Sequence, residues 1–290
     1  MLDATTNPGT EILVGLIGSG IGGSGSPALH MEEASALGLK LRYTLLDLDR
    51  QPQGTASLQR LLVETQRAGY AGVNITHPCK QQVIPLLQEL SEDARALGAV
   101  NTVVYSGERC VGHNTDWWGF AEGFRRGLSG ADLRSVTQVG AGGAGSAVAY
   151  AMLKMGTQRL TVFDIEHSRA EQLIETLAPR FGADRITLGT DLERSLSRSD
   201  GVINTTPVGM DKYPGTPVPL EWLRADLWVA EIIYFPLETA LLKAARALGC
   251  RTVDGGGMAV FQAAEAFRLF TGITPDALRM LAGFRRSIPR

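Results

Sequence analysis

The sequence predicts an α/β protein built as two domains, each a mainly parallel sheet layered with helices. Three observations carry that expectation. A strand–helix alternation fills the N-terminal part, a second one restarts beyond residue 113, and a glycine-rich loop sits between strand and helix at the start of the second. Short apolar runs alternating with helical segments are the pattern of a sheet covered by helices on its faces.

The elements follow in order. "EILVGLIGSG" is an apolar strand ended by glycines. "SPALHMEEASALGL" is a helix, with Pro27 near its start and Gly38 near its end. "LRYTLLDL" alternates as a strand, "TASLQRLLVETQRAG" has helical spacing, and "YAGVNIT" is a third strand. The run "GVNITHPCKQQVIP", residues 72–85, reads as strand followed by helix, with Lys80 at the helix opening. A cation is electrostatically misplaced there, because a helix N-terminus favours anions. That misplacement marks Lys80 as a candidate for chemistry.

In the second alternation, "SVTQVGAGGAGSAVAYAMLKMG" is strand, loop and helix, and "RLTVFDI" is a strand ending in an acid. "SRAEQLIETLAPRFG" is a helix, "DGVINTTP" and "DLWVAEIIY" are strands, and "ETALLKAARALGC" is a helix. "MAVFQAAEAFRLFTG" and "TPDALRMLAGFRRS" are closing helices, expected to return to the first domain. The expected domains are residues 1–113 with 258–290, and residues 114–257.

Composition excludes several classes. The 290 residues are 44% hydrophobic and 20% charged with a net charge of −2, so nothing attracts nucleic acid or an anionic membrane in general. Cys79, Cys110 and Cys250 are three in number and lack CxxC spacing, which argues against a disulfide framework or zinc site and for a reducing compartment. No apolar run approaches the ~20 residues of a membrane span, and the N-terminus lacks the pattern of a signal peptide. The expectation is a cytoplasmic protein that acts on a small molecule.

"VGAGGAG" supplies Gly140-x-Gly142-x-x-Gly145, with Gly143 and Ala144 between. The first glycine permits a tight turn, the second lets backbone approach a pyrophosphate, and the third allows close strand–helix packing. A lone GxGxxG is weak in a chain with 34 glycines. Here it follows a strand, opens a helix and is trailed by Asp164 at the next strand's end, the context of a Rossmann-type dinucleotide site. A carboxylate at Asp164 accepts hydrogen bonds from an adenosine 2′-OH and repels a 2′-phosphate. NAD is therefore expected over NADP, although Arg169 could meet a phosphate.

Lys80 in "NITHPCK" and Asp116 in "GHNTDWWGF" are the acid–base candidates. An alcohol oxidised by a dinucleotide loses its hydroxyl proton as hydride leaves carbon. A neutral lysine can take that proton, and a nearby carboxylate can orient it. Taken singly, each has a plainer reading, a surface lysine and a helix-capping aspartate. His30, His77 and His113 are scattered and assigned no catalytic or metal role.

"SGSPALH", "GVNITHPCK", "AVNTVV", "GHNTDWWGF", "GAGGAG", "NTTPVGM", "EIIYFPLETALL" and "GMAVFQAAEAFRLFTG" stand in an order that resembles the shikimate/quinate dehydrogenase family. The resemblance runs from about Leu13 to Gly272. It implies Lys80 and Asp116 as the catalytic pair and Ser24, Ser26, Thr76, Asn101, Tyr234 and Gln262 around a polyhydroxylated cyclohexane carboxylate. It also implies that Thr206 and Gly255 accompany the glycine loop, Asp164 and Arg169 at the dinucleotide. Ser26 departs from the threonine often found in the NAD-using branch, which leaves quinate and shikimate both open with a lean to shikimate. "DIEHSR" replaces the Asn-Arg phosphate clamp of NADP-using members. A monomer or homodimer is expected. Two other functions use the same features: a methyltransferase with an adenosyl cofactor at the glycine loop, and a ligand sensor that keeps the site with little turnover.

Overall fold

Apolar alternation sets which face of each strand is buried. In the first sheet Val14 and Leu16 point to one side and Ile17 to the other; Val103 and Tyr105 join Ile17, while Val104 joins Val14. The computed structural model describes residues 11–287. Its chain divides into two compact units, one running to Thr115 and resuming at Gln262, the other spanning Asp116–Phe261.

The first unit contains β1 (Ile12–Gly18), α1 (Ser26–Ala36), β2 (Leu41–Asp47), α2 (Leu58–Arg67), β3 (Gly72–Ile75), β4 (Glu89–Leu90), α3 (Glu92–Leu97), β5 (Thr102–Ser106) and β6 (Arg109–His113). Its sheet order is β2-β1-β3-β5-β6-β4. The first three strands are parallel, and β5 runs antiparallel to both β3 and β6. Residues 102–113, for which the sequence analysis assigns no element, thus form a hairpin. Gly107, with φ +59°, makes the turn.

The second unit contains α4 (Asp116–Gly127), β7 (Ser135–Val139), α5 (Gly143–Lys154), β8 (Arg159–Phe163), α6 (His167–Phe181), β9 (Ile186–Leu188), α7 (Leu192–Leu196), β10 (Gly201–Asn204), β11 (Trp228–Glu231), α8 (Ala240–Ala247) and β12 (Thr252–Val253). Every strand pair in it is parallel, in the order β12-β11-β10-β7-β8-β9. Strand order therefore reverses between β7 and β10, and ligands of such sheets bind beyond the carboxyl ends of the strands at that point. α9 (Gly256–Thr271) begins in this unit and ends in the first, where α10 (Ala277–Ser287) packs on α1.

One expectation fails here. Lys80 does not open a helix: residues 77–83 form turns, and a 3-10 turn over Ile84–Leu86 follows. Val83 N–H reaches Cys79 C=O at 3.0 Å, the bond of a single α-turn, but the next step is lost. Pro85 has no N–H to donate to Gln81, whose carbonyl takes Ile84 N–H instead at 3.1 Å. The macrodipole argument for Lys80 falls with the helix.

His30 on α1 is fully enclosed, with ring centroids 4.9 Å from Tyr43 and 6.1 Å from both Phe267 and Phe270. Neither ring nitrogen has a hydrogen-bond partner. Burial pushes its pKa from 6.5 down to about 3. Below pH 6.5 the unfolded chain therefore binds a proton that the fold refuses, and stability falls as pH drops toward 3. The slope from this group approaches ~1.4 kcal/mol per pH unit. His30→Leu is expected to flatten that acid limb in denaturant midpoints measured from pH 7 to pH 5; an unchanged limb contradicts the assignment.

Candidate active site

The dinucleotide side is built from the ends of β7 and β10. Gly140 has φ +107°, and a Cβ there would lie 2.7 Å from Thr205 Oγ1. Gly145 leaves no more room, since its Cβ would sit 2.5 Å from Gly140 O. Thr205 donates to Gly140 C=O at 2.7 Å, and Gln138 Nε2 donates to Gly140 and Gly145 carbonyls at 2.8 and 2.9 Å. The loop is thereby fixed in shape by side chains the sequence reading does not single out. Gly142 and Gly143 are exposed, with nothing within 4 Å of an added Cβ. Gly142, which has no side chain, caps α5 with no side-chain hydrogen bond to the first N–H groups of this 12-residue helix. With Ala144 half-buried behind them, that is the donor set a pyrophosphate needs.

Asp164 lies one residue beyond β8. Its Oδ2 accepts Ala141 N–H at 2.7 Å and its Oδ1 accepts Glu166 N–H at 2.9 Å. The carboxylate is thus tied to the glycine loop as well as to its own turn. Ile165 beside it is 98% exposed, an apolar surface at the same edge. Arg169, the one candidate for a phosphate clamp in the sequence, forms an exposed ion pair with Glu166 at 2.8 Å.

At the end of β10, Asn204 Oδ1 accepts both Thr206 N–H, at 2.9 Å, and Thr206 Oγ1–H, at 2.7 Å. Asn204 Nδ2 in turn donates to Glu231, 3.0 Å from each carboxylate oxygen. Ile232 N–H, Ile233 N–H and Thr239 Oγ1–H also donate to that carboxylate. Burial pushes the Glu231 carboxyl up to about 7, against these donors, which favour the ionised form. Gly255 N–H bonds Ile233 C=O at 3.2 Å, and a Cβ on Gly255 would meet Ile232 O at 2.1 Å. Tyr234, expected to end a strand, lies beyond β11 in this irregular segment and is exposed.

The other candidates belong to the first unit, except Asp116, which opens the second. Ser24 and Ser26 are half-buried at the entry to α1, where Ser24 Oγ accepts Ser26 N–H at 3.2 Å. Thr76, past β3, donates its N–H to Ile17 C=O at 2.9 Å. Lys80 is half-buried, and its carbonyl accepts Val100 N–H at 2.8 Å, which sets the Lys80 turn against the residue preceding Asn101. Asn101 is buried; its Nδ2 donates to Thr115 Oγ1 at 2.9 Å and its Oδ1 accepts Thr115 N–H at 2.8 Å. Thr115 Oγ1 also reaches Gln262 Oε1, at 3.5 Å. Thr115, absent from the sequence candidates, is therefore a junction, and Asp116 follows it directly as the first residue of α4, buried. Burial also lowers the pKa of His113; among smaller contributions Glu265 and Asp93 raise it and Arg268 lowers it further. Cys79, Cys110 and Cys250 are unbridged and buried. Among the described residues there is no cluster of metal-ligating side chains, and no helix is long and apolar enough to cross a membrane.

A parallel sheet with a shaped glycine loop at its switch point, joined to a second α/β unit carrying a lysine, an amide and clustered hydroxyls, defines a dinucleotide-dependent oxidoreductase. Residues 16–103 match the shikimate dehydrogenase substrate binding domain and residues 255–282 the shikimate 5′-dehydrogenase C-terminal domain. The chain belongs to the shikimate/quinate dehydrogenase family. It is 54% identical to a shikimate dehydrogenase (NADP(+)) of Streptomyces avermitilis, over 93% of this chain and 94% of that one. It is 47% identical to a quinate/shikimate dehydrogenase (NAD(+)) of Corynebacterium glutamicum, over 94% of this chain and 98% of that one. The solved quinate dehydrogenase from Corynebacterium glutamicum in complex with NAD superposes with a TM-score of 0.92 at 46% identity, covering 96% of this chain and all of that one (100%). The Thermus thermophilus shikimate 5-dehydrogenase in complex with NADP(H) and shikimate gives 0.84 at 33% identity, covering 96% of this chain and 100% of that one.

Proposed function

We propose that this protein oxidises shikimate, and quinate less well, at the C3 hydroxyl, reversibly and with NAD preferred over NADP. The observation that carries the cofactor choice is Asp164, whose carboxylate is held at the edge of the glycine loop by Ala141 N–H. A fixed negative charge there receives a ribose 2′-OH and opposes a 2′-phosphate. Similarity to named relatives leaves this choice to the residues themselves, because those relatives divide between NADP(+) and NAD(+). Arg169, already paired with Glu166, contributes no unopposed positive charge.

The residues present fit the dinucleotide. Gly142, Gly143 and Ala144 N–H groups would hold the pyrophosphate, Asp164 the ribose and Ile165 the adenine face, with Thr206 and Gly255 toward the nicotinamide. When bound, the nicotinamide supplies the hydride acceptor. Ser24 and Ser26 hydroxyls bind the ring carboxylate, and Thr76, Asn101, Tyr234 and Gln262 bond the ring hydroxyls. Lys80 takes the C3 hydroxyl proton as the carbinol C–H hydride departs, leaving a ketone, and Asp116 hydrogen-bonds the same end of the ring. The reverse reaction returns that proton from Lys80 to the carbonyl oxygen.

Quinate carries a tertiary hydroxyl at the carboxylate-bearing carbon. A pocket without a partner for it incurs ~1–3 kcal/mol of desolvation, about ten- to a hundredfold in selectivity. Serine at position 26 is smaller than threonine and holds that hydroxyl less closely. Ser26→Thr is therefore expected to raise the quinate-to-shikimate ratio of specificity constants; an unchanged ratio removes Ser26 from the selectivity argument. The activity itself is tested by product analysis, which should find one 3-keto acid per dinucleotide reduced. No turnover would favour the ligand-sensing reading. The protein is proposed to work in the cytoplasm as a monomer or homodimer on this small molecule, with no nucleic-acid or membrane partner.

A further inference from the structure

The carboxyl ends of β10 and β11 meet in a buried polar cluster that takes no part in the proposed proton and hydride steps. Asn204 and Glu231 are register partners and the last residues of these neighbouring parallel strands. Both are closed to solvent, at 0% and 1% exposure. Glu231 Oε1 accepts Ile232 and Ile233 N–H at 3.0 and 3.2 Å, and Oε2 accepts Thr239 Oγ1–H at 3.2 Å. Asn204 Nδ2 lies 3.0 Å from both carboxylate oxygens and from Val208 C=O. Two short paths lead outward from this carboxylate. One runs through Asn204 Oδ1 to the N–H and hydroxyl of Thr206, at 2.9 and 2.7 Å. The other runs through Ile233, whose C=O accepts Gly255 N–H at 3.2 Å. Thr206 and Gly255 are the two residues assigned to the nicotinamide side, and both are held from the one carboxylate.

Donor inventory leaves the cluster a single arrangement. Asn204 Oδ1 receives two hydrogens from Thr206, so the amide cannot turn over without setting its NH2 against the Thr206 N–H. Thr206 gives its one hydroxyl hydrogen to Asn204 and accepts Val208 N–H at 3.1 Å. Toward a ligand that oxygen can therefore only accept. Position 231 must accept at both of its terminal atoms, which a carboxylate does and an amide does not. An amide there keeps one oxygen for the Ile232 and Ile233 N–H groups and sets its own hydrogens against Asn204 Nδ2. Thr239, as a hydroxyl, can reverse and accept. The mismatch thus falls on Asn204 and, through it, on Thr206. A buried acid is a costly way to join two strands, and the demand for acceptors on both oxygens is what it meets.

We propose that Glu231, acting through Asn204 and the Ile232–Ile233 segment, is a positioning residue that fixes Thr206 and Gly255 at the nicotinamide for hydride transfer. The proposal rests on the nicotinamide-side assignment made under the proposed function. Single-turnover reduction of NAD by shikimate, ADP affinity, NAD affinity and melting temperature are measured for Glu231→Gln, Thr239→Val, Thr206→Val and the double variant Glu231→Gln with Asn204→Asp. ADP carries the adenosine and pyrophosphate and lacks the nicotinamide, so it reads the glycine loop and Asp164 alone. Glu231→Gln should slow reduction about fivefold or more with ADP affinity within about twofold, since small misplacements at a reacting centre carry large rate costs. Adding Asn204→Asp restores a donor–acceptor pair with its sense reversed, and should recover reduction about threefold or more, in the range for directly linked residues. Thr239→Val removes another donor to the same carboxylate and the cap that receives Leu242 N–H. It should lower the melting temperature and leave reduction within about twofold, because the Asn204 link survives. Wild-type reduction in Glu231→Gln, no recovery in the double variant, or equal slowing in Thr239→Val overturns the proposal. A slow Thr206→Val beside any of these leaves the nicotinamide-side assignment standing. If Glu231→Gln does not fold, Asn204→Ser, which shortens the link from its other side, takes its place with the same expectation, and wild-type reduction there overturns the proposal. Wild-type reduction and NAD affinity in Thr206→Val overturn the nicotinamide-side assignment, and the proposal with it.

Discussion

Lys80→Met is expected to lower turnover about a hundredfold or more while leaving dinucleotide affinity within about twofold, since positioned general bases contribute 10²–10⁴-fold. Methionine preserves the apolar stem and removes the nitrogen, so the loss reports proton transfer rather than packing. The local frame survives because the turn is held by backbone: Cys79 N–H to Thr76 C=O at 2.8 Å and Val100 N–H to Lys80 C=O at 2.8 Å. Lys80 belongs to the first unit and the glycine loop to the second, so the groups proposed to hold the dinucleotide are untouched. Stopped-flow turnover and a fluorescence titration with the dinucleotide separate the two quantities. A variant with more than about a tenth of wild-type turnover contradicts the general-base role.

Asp164→Ser carries the second large effect. It removes a carboxylate that would receive the ribose hydroxyls, and hydrogen bonds to a charged group are worth ~1.5–3 kcal/mol, about ten- to a hundredfold in kcat/KM with NAD. The ratio of NADP to NAD use should rise, because repulsion of the 2′-phosphate disappears. The substitution also cuts the 2.7 Å bond from Ala141 N–H, so the loop loses support whichever dinucleotide binds. For that reason the ratio of the two specificity constants is the informative quantity, not either alone. A ratio that stays put would show that Asp164 acts on loop shape only.

Local features were readable in the sequence and long-range ones were not. The glycine loop, Asp164 and the strands on either side are contiguous in sequence, and strand–loop–helix context is a local property. Lys80 stands out in the sequence by its misplaced charge, yet the helix that makes it look misplaced does not form. Pro85, five residues on, was visible as a helix breaker and outweighs the helical periodicity before it. The β5–β6 hairpin had a signal in Ser106-Gly107 between apolar runs, one that resembles an ordinary loop until the partner strand is known. Glu231 carries no such signal, because it reads as part of an apolar strand. Its partners Asn204 and Thr239 come from the two neighbouring segments, and only the folded sheet shows that it ties the Thr206 turn to α8.

The central claim is that this chain is an NAD-preferring dehydrogenase of shikimate. Initial rates with shikimate and quinate, each against NAD and NADP, test it in one set of measurements on the wild-type protein. The account predicts the highest kcat/KM for shikimate with NAD. A higher value with NADP would contradict the reading of Asp164, equal or better use of quinate would contradict the reading of Ser26, and no reduction of either dinucleotide would contradict the enzyme itself.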